Sequence, residues 1–528
     1  METPFTPLDF LRRARKLHGQ REAVVDRGQR WTYAEFAARC ERWRSALARL
    51  GVRQGDRVGT IAPNTHQHLE QFYAVPLVGG VLVPMNYRLT AEDFVYLAEH
   101  SGCKVLCVQP DYLDIIDSVR HALHTVQHFV ALEGSRPGWL EYEALLSAEP
   151  EPEAAAAEHS ATVSETDLLT INYTSGTTSK PKGVMITHRN AWANCVGVLA
   201  HWAMTPANRY LWTLPMFHAN GWTFTWTVTA VGATHVCLPR VEPALIYELI
   251  NQEQVTHLCA APTVLIAIAN GPEALRRQVR KGVRLFTAGA PPAAATIERV
   301  EGELGWNITQ VYGLTETAPL ISICEPLPEH ENLPLGERAV IKARQGVELI
   351  TSGELEVVDE QMKPVPWDGE TLGEIVARGN VVMKGYYNDP EATAKAFEGG
   401  WFHTGDAAVV FPSGYVQIRD RFKDVIISGG ENISSVEVEG VLLRHPAVLE
   451  VAVVGMPHEK WGESPQAFIV LAQGKTASSE ELRSFAREKM AHFKVPSAFH
   501  FVEELPKTAT GKIQKFVLRQ GRANLSVQ

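Results

Sequence analysis

The chain has no apolar run approaching the length of a membrane span, and its opening stretch, METPFTPLDFLRRARK, has neither an uninterrupted apolar segment nor a small-residue cleavage site. Neither a transmembrane segment nor a secretory leader is expected. An excess of positive charge is also missing. The 50 Lys and Arg stand against 60 Asp and Glu, a net charge of −10, and the two signs are interspersed. That removes the electrostatic case for a nucleic-acid or other polyanionic partner, although a local basic pocket can still hold a small anion. Cysteine is sparse: seven residues, an odd number, mostly in apolar surroundings, with only Cys103 and Cys107 close in sequence. This pattern excludes a disulfide framework, and no second Cys/His pair stands at zinc-finger spacing. Reduced, mostly buried thiols in a cytoplasmic protein are expected. No internal repeat of fixed period is present.

At 528 residues the chain is too long for one ordinary core, so two or more domains are expected. Thr32 and Glu35 read as a capping box, Trp31 and Phe36 as a hydrophobic staple, and Phe36, Cys40, Trp43, Leu47 and Leu50 as one helical stripe ended by Gly51. Strands at 57–61, 81–84 and 105–108 then alternate with helices at 65–77 and 90–99, which predicts a layered α/β sheet. The Ala, Glu and Pro-rich stretch 145–165 reads as an exposed connection. After Arg421 the pattern changes to helix 436–443, strands 450–454 and 467–471, and helix 479–490, enough for a small α+β domain.

The most telling stretch is 173–184, YTSGTTSKPKGV. Gly176 and Gly183 let the backbone approach an anion, while Thr174, Ser175, Thr177 and Thr178 add hydroxyl donors. Lys180 and Lys182 add charge suited to phosphate. Flanked by an apolar run at 168–171 and a helical one at 191–200, the loop reads as a strand-to-helix connection. It is not a Walker A loop, because Pro181 stands where that motif needs Gly-Lys-Ser/Thr. The blander reading, a surface turn with a basic tail, loses ground to the motifs downstream of the loop.

PMFHANGW (215–222) sets His218 between Phe217 and Trp222; taken alone, such a histidine is more often part of a core. TAGAPP (287–292) and QVYGLTE (310–316) read as strand ends lining a cleft, where Tyr312 is placed to stack on a base and Thr315 and Glu316 to reach phosphate and a hard cation. WFHTGD (401–406) ends in Asp406, suited to ribose hydroxyls. DRFKDVIISGGENISS (420–435) carries Arg421, Lys423 and the Gly429–Gly430 pair, and PKTATGKI (506–513) presents Lys512 on a turn.

In this order, the segments resemble the adenylate-forming superfamily of acyl-CoA synthetases, firefly luciferases and nonribosomal peptide synthetase adenylation domains, over nearly the whole chain. The resemblance implies an α/β fold with a large N-terminal adenylation domain over 1–421, built of layered sheets and flanking helices, and a small mobile α+β C-terminal domain over 422–528. It implies that 174–182, with Thr174, Ser175, Gly176, Thr177, Thr178 and Lys182, holds phosphate. Gly289, Ala290, Pro291, Gln310, Tyr312 and Gly313 match the adenine pocket, and Asp406 and Arg421 the ribose clamp. Thr315 and Glu316 match the phosphate and Mg²⁺ contacts, with Thr174 also on the metal. Lys423 matches the hinge, and Lys512 the adenylation lysine. Two positions depart from the pattern. Ser179 stands where the family usually has Gly, so a left-handed backbone there would be strained, and Ala288 adds a methyl where Gly is frequent.

The implied reaction uses ATP, Mg²⁺ and coenzyme A. A carboxylate, ionised at neutral pH and needing no general base, attacks the α-phosphorus. The small domain then swings about Lys423, withdrawing Lys512 and presenting Ser428, Gly429, Gly430 and Glu431 to the CoA thiol. GMPHEKWGE (455–463) resembles a small-domain loop near that face. Phe217, His218 and Trp222 match the acyl-tunnel border of fatty-acyl and related aliphatic ligases. The leading expectation is therefore a medium- to long-chain fatty-acyl-CoA ligase of lipid metabolism, with Lys512, His218 and Glu316 as catalytic residues. An aryl, cinnamate-like, or short or branched acid is the alternative within the enzymes. A catalytically silent nucleotide-binding protein is the alternative outside them. A homodimer is compatible with the sequence.

Overall fold

The helix after Trp31 starts where the capping signal stands. Helix Tyr33–Arg49 begins after Thr32, whose hydroxyl accepts from the Glu35 amide while the Glu35 carboxylate accepts from the Thr32 amide. Phe36, Cys40, Trp43 and Leu47 are all buried, and Gly51 comes next with φ +85. Thr32→Ala is expected to cost about 1 kcal/mol through loss of this cap, read as a lower denaturation midpoint. Trp31 stacks on His66 at 4.1 Å, and Phe36 meets Tyr73 edge-on at 5.6 Å, so both residues of the expected staple have aromatic partners distant in sequence.

The structure is a computed structural model that describes residues 2–151, 163–174, 180–290, 292–429, 431–508 and 512–521. Ser175, Gly176, Thr177, Thr178, Ser179, Pro291, Gly430 and most of the 145–165 connection lie outside the described residues. The start of that connection is corrected: helix Tyr142–Ser147 runs into it, with Leu146 buried.

Two large sheets dominate. An eight-stranded sheet has at its centre Leu168–Thr174, Val81–Met85, Arg57–Ile61 and Cys103–Val108 as neighbours. A nine-stranded sheet contains Arg209–Leu211, His257–Ala260, Arg284–Thr287 and Asn307–Gly313 in parallel register. The largest apolar core lies between them and takes in helices Tyr33–Arg49, His66–Leu77, His188–Trp202 and Phe224–Val231. Further cores cover the outer faces, one under Pro243–Gln252 and Ala294–Leu304, the other under Ala91–Ser101. Helix and sheet therefore alternate in layers, as the βα alternation requires. Two more cores draw only on residues from Ile426 onward. The C-terminal part is a smaller domain with its own sheet, built on the long hairpin Val448–His458 and Gly462–Leu471. All seven cysteines are free and buried. Among the described residues, no helix is long and apolar enough to cross a membrane.

The 173–184 loop is not a strand-to-helix connection. Lys182–Thr187 pairs antiparallel with Leu168–Thr174, from Thr174 opposite Lys182 to Leu168 opposite Thr187, so the loop is a hairpin tip. Val184 and Ile186, β-branched and buried two residues apart, have strand spacing. Helix His188–Trp202 starts only at the far end of that strand, where Thr187 and Asn190 form a capping box. Its N-terminus therefore lies at the opposite end of that strand from the loop.

Candidate active site

The cleft forms where parallel strands of the larger sheet end. Thr287 and Gln310 are register partners on Arg284–Thr287 and Asn307–Gly313. Beyond the first strand the backbone turns through Gly289 at φ +94, followed by the exposed Ala290. Beyond the second comes Gly313, where a Cβ would lie 1.7 Å from the Pro319 carbonyl oxygen, so only glycine fits. Thr287 Oγ1 and Gln310 Oε1 are buried here without a hydrogen-bond partner, against the general rule for buried polar atoms.

Tyr312 is buried, and its hydroxyl donates to Asp406 Oδ2 at 2.7 Å. Arg421 Nε lies 3.3 Å from Asp406 Oδ1. The last pair is set by strand register, since Asp406 on Phe402–Val410 faces Arg421 on Val416–Arg421. One carboxylate therefore ties the aromatic residue to the cation. Burial, followed by the Asp406 charge, drives the Tyr312 phenol far above its usual range, so it stays a hydrogen-bond donor.

A second chain of contacts leads toward the phosphate loop. The Tyr386 hydroxyl donates to Glu316 Oε1 at 3.0 Å, and Lys182 Nζ sits 4.8 Å from the Tyr386 ring centroid. Tyr386 reaches this place because Gly385–Tyr386 pairs with the strand after the loop. Desolvation raises the Glu316 carboxyl, opposed by the Tyr386 hydrogen bond and the Arg421 charge. Thr174 ends the strand that enters the loop, and Thr315 opens the short turn that carries Glu316.

Lys512 enters from the smaller domain. Two hydrogen bonds tie it to Thr508, whose amide donates to the Lys512 carbonyl at 2.7 Å and whose Oγ1 accepts from the Lys512 amide at 3.1 Å. The residue stays accessible at the cleft mouth, yet the protein crowded around its amine excludes much of the water. Desolvation first, then Arg421 and Lys423, bring the ammonium down to about 8, against the opposing pull of Asp406 and Asp424. It also acts on His218: desolvation first, then the Lys512 charge, lower that imidazole to about 4. His218, half-buried and not wholly enclosed, is therefore neutral at physiological pH.

His218 leads into a turn that sequence periodicity does not announce. Ala219, Asn220, Gly221, Trp222 and Thr223 all have left-handed φ, of +44°, +57°, +59°, +51° and +63°. Such a conformation costs roughly 1–2 kcal/mol per non-glycine residue, so tertiary contacts must hold it. Gly221 is required twice over, by its φ and because a Cβ would meet the Trp212 ring at 2.5 Å. Phe217 and Trp222 are buried, Phe217 edge-on to Tyr87 at 5.4 Å, and Ala288 is buried as well.

Ser428, Gly429 and Glu431 lie on the smaller domain's hairpin of Ile426–Ser428 and Glu431–Ile433. Gly429 has φ +62, its amide donates to the Trp461 carbonyl at 2.8 Å, and a Cβ would press on the Trp461 indole at 2.8 Å. The segment 455–463 is the tip of the long hairpin, where His458 pairs with Gly462.

A fold of this kind, with polar residues gathered at strand ends and a lysine carried by a smaller C-terminal domain, has known relatives. The sequence pattern of the AMP-binding enzyme family matches residues 10–387, and that of the AMP-binding enzyme C-terminal domain matches residues 437–512. The chain belongs to the AMP-binding enzyme family, and it is an AMP-forming acid–thiol ligase. It is 44% identical to 4-hydroxybutyrate–CoA ligase 2 of Metallosphaera sedula, over 97% of this chain and 94% of that one. It is 42% identical to 2-methylpropanoate–CoA ligase CCL4 of Humulus lupulus, over 98% and 95%. The peroxisomal benzoate–CoA ligase of Arabidopsis thaliana is 40% identical, over 99% and 94%. Among solved structures, the anthranilate CoA ligase AuaEII with anthranoyl-AMP superposes with a TM-score of 0.86 at 27% identity, over 99% of this chain and 98% of that one.

Tyr386 escaped sequence reasoning, although it joins Glu316 to Lys182. Its only signal was a Tyr386–Tyr387 pair after Gly385, which has no helical or strand period. Asn172 and Thr170 were also missed, and Asn220 was legible only as one member of the 215–222 motif.

Proposed function

We propose that the chain joins a short, branched or aryl carboxylic acid to coenzyme A through an acyl-adenylate. One observation carries this: Tyr312, Asp406 and Arg421 form a bonded cluster that places its charges around Lys512, with Glu316, Tyr386 and Lys182 leading from it to the phosphate loop. In this reading Asp406 and Arg421 hold the ribose. Tyr312, Gly313, Gln310 and the Gly289–Ala290 turn flank the base, while Thr174, Thr315 and Lys182 face the phosphates.

The acid arrives already ionised, so the site must supply alignment and charge neutralisation rather than a base. Lys512 meets charge developing on the α-phosphoryl oxygens as pyrophosphate leaves. Glu316 and the Thr174 hydroxyl are hard oxygen donors of the few-ligand kind that suits Mg²⁺ held jointly with phosphates, and the desolvated Glu316 carboxyl gains from a nearby cation. When bound, that ion neutralises phosphate charge. His218, uncharged, borders the acid without competing for its carboxylate. The domains divide at 421/422, and a turn about Lys423 then withdraws Lys512 and brings the Gly429 hairpin to the thioester step, where the CoA sulfur displaces AMP.

The acid's size is where the reading departs from the medium- to long-chain expectation. Relatives at 40–44% identity are named for 4-hydroxybutyrate, 2-methylpropanoate and benzoate, and the two bulky residues assigned to the acid's surroundings, Trp222 and Phe217, are both buried. A cytoplasmic location is proposed on the seven buried thiols alone. The test is ATP–pyrophosphate exchange with 4-hydroxybutyrate, 2-methylpropanoate, benzoate, cinnamate, octanoate and palmitate, followed by CoA thioester detection. A small or single-ring acid is expected to exceed palmitate by about tenfold or more in kcat/KM, the scale of a few methylenes in an apolar pocket. Palmitate in first place would restore the longer-chain reading, and ATP binding without carboxylate-dependent exchange would point to a silent nucleotide-binding protein.

A further inference from the structure

Asn220 sits in the middle of the left-handed turn with its side chain buried. Its Nδ2 donates to Thr170 Oγ1 at 2.9 Å, Thr170 Oγ1 donates to Asn172 Oδ1 at 2.7 Å, and Asn172 Nδ2 donates to Asn220 Oδ1 at 2.9 Å. Three buried side chains thus close a ring in which each gives one hydrogen bond and takes one. Thr170 and Asn172 are two residues apart on strand Leu168–Thr174, so they share one face of the sheet. That strand runs on into the phosphate loop.

The far end of the turn is held separately. Thr223 Oγ1 donates to Asn194 Oδ1 at 3.2 Å, Asn194 Nδ2 to the Leu320 carbonyl at 2.5 Å, and Thr225 Oγ1 to the Asn220 carbonyl at 3.1 Å. Asparagine is among the few side-chain-bearing residues that enter the left-handed region readily, and here its amide also finds partners. The two residues that flank this anchor are those that the proposed reading sets beside the acid: His218, within the field of Lys512, and the buried Trp222.

We propose that the Thr170–Asn172–Asn220 ring is a positioning device that fixes the acid-binding turn relative to the phosphate loop, so that the carboxylate and the α-phosphorus meet in line. Asn220 is the positioning residue, and it acts through His218 and Trp222. The inference rests on the adenylation reading of the site. A polar ring in an otherwise apolar core is specific in this role because removing any member leaves each of the other two buried side chains short of one hydrogen bond.

Asn220→Gly separates the two contributions, since glycine keeps the left-handed backbone and deletes the amide. Thr170→Val deletes the hydroxyl with nearly unchanged shape, and Thr170→Ser restores it. In ATP–pyrophosphate exchange, Asn220→Gly and Thr170→Val are expected to raise the KM for the preferred acid about tenfold or more, on the scale that misplacement of reactants costs. The KM for ATP is expected to stay within about threefold, and Thr170→Ser to stay near wild type. Equal increases in both KM values, or an acid KM within about twofold of wild type, would overturn the proposal. Amide hydrogen exchange provides a readout that needs no turnover: the Gly221 and Thr223 amides are expected to exchange at least about tenfold faster in Thr170→Val than in Thr170→Ser. Unchanged protection would refute the ring's role even if the protein proved to activate no acid. Absence of exchange activity in the wild type, with the protection difference present, would count against the adenylation reading and leave the ring standing.

Discussion

Lys512→Ala is expected to reduce adenylate formation by about a thousandfold while leaving thioester formation from a preformed adenylate within about threefold of wild type. The amine is the one cation that the smaller domain delivers toward the Tyr312–Asp406–Arg421 cluster among the residues assigned here to the first step. In the proposed reaction its contribution is charge placed where the pentavalent phosphorus develops it, in surroundings that desolvate the ammonium. The acidity of this lysine supplies a second readout. With the ammonium at about 8 in the free protein, its charged fraction falls as pH rises through that value. The adenylation kcat/KM of the wild type is therefore expected to bend downward above about pH 8, because the group must be protonated to act. Arginine stays charged throughout this range, so in Lys512→Arg the bend should vanish even if the plateau is lower. A bend that persists in Lys512→Arg would assign it to another group, and equal loss of both half-reactions in Lys512→Ala would contradict a domain swing that removes the lysine before CoA attacks.

Much of this arrangement was legible along the chain because it is written locally. The Thr32–Glu35 box, the stripe from Phe36 to Leu47 and the strand at Arg57–Ile61 each arise from residues within a few positions of one another. The motif order grouped Tyr312, Asp406, Arg421 and Lys512 in one expected site, and in the structure Tyr312 and Arg421 both contact Asp406. What failed was nonlocal. The hairpin at 168–187 was misread because the segment after the loop is apolar enough for either element, and only pairing with Leu168–Thr174 makes it a strand. The stacking of Trp31 on His66 joins segments that no local pattern connects. The turn at 219–223 has one glycine and one asparagine to announce five left-handed residues, and its support comes from Thr170, Asn172 and Asn194, far away in sequence. Sequence periodicity reports how a segment meets a generic core, but not which particular side chain completes a hydrogen-bond ring.

Asp406→Ala is expected to lower kcat/KM for ATP by about a hundredfold, mostly through KM. The carboxylate has two duties. Toward the ligand, the proposed reading has it accept from ribose hydroxyls, and a hydrogen bond to a charged group is worth about 1.5–3 kcal/mol. Toward the protein, it accepts the Tyr312 hydroxyl at 2.7 Å and faces Arg421 at 3.3 Å. Alanine would leave a buried phenol without its acceptor and a guanidinium without its counter-charge, so Tyr312 would no longer be held where a base stacks. The charge balance at Lys512 would shift as well. Asp406 is one of two carboxylates that keep that ammonium from falling further. Its loss should move the downward bend in adenylation to lower pH, and Asp406→Asn should do the same while preserving part of the hydrogen bonding. Titration calorimetry with ATP and the pH profile of exchange would read the two effects separately. If ATP affinity falls but the bend stays in place, the carboxylate serves the ribose and not the lysine; if neither moves, the clamp assigned to Asp406 and Arg421 is wrong.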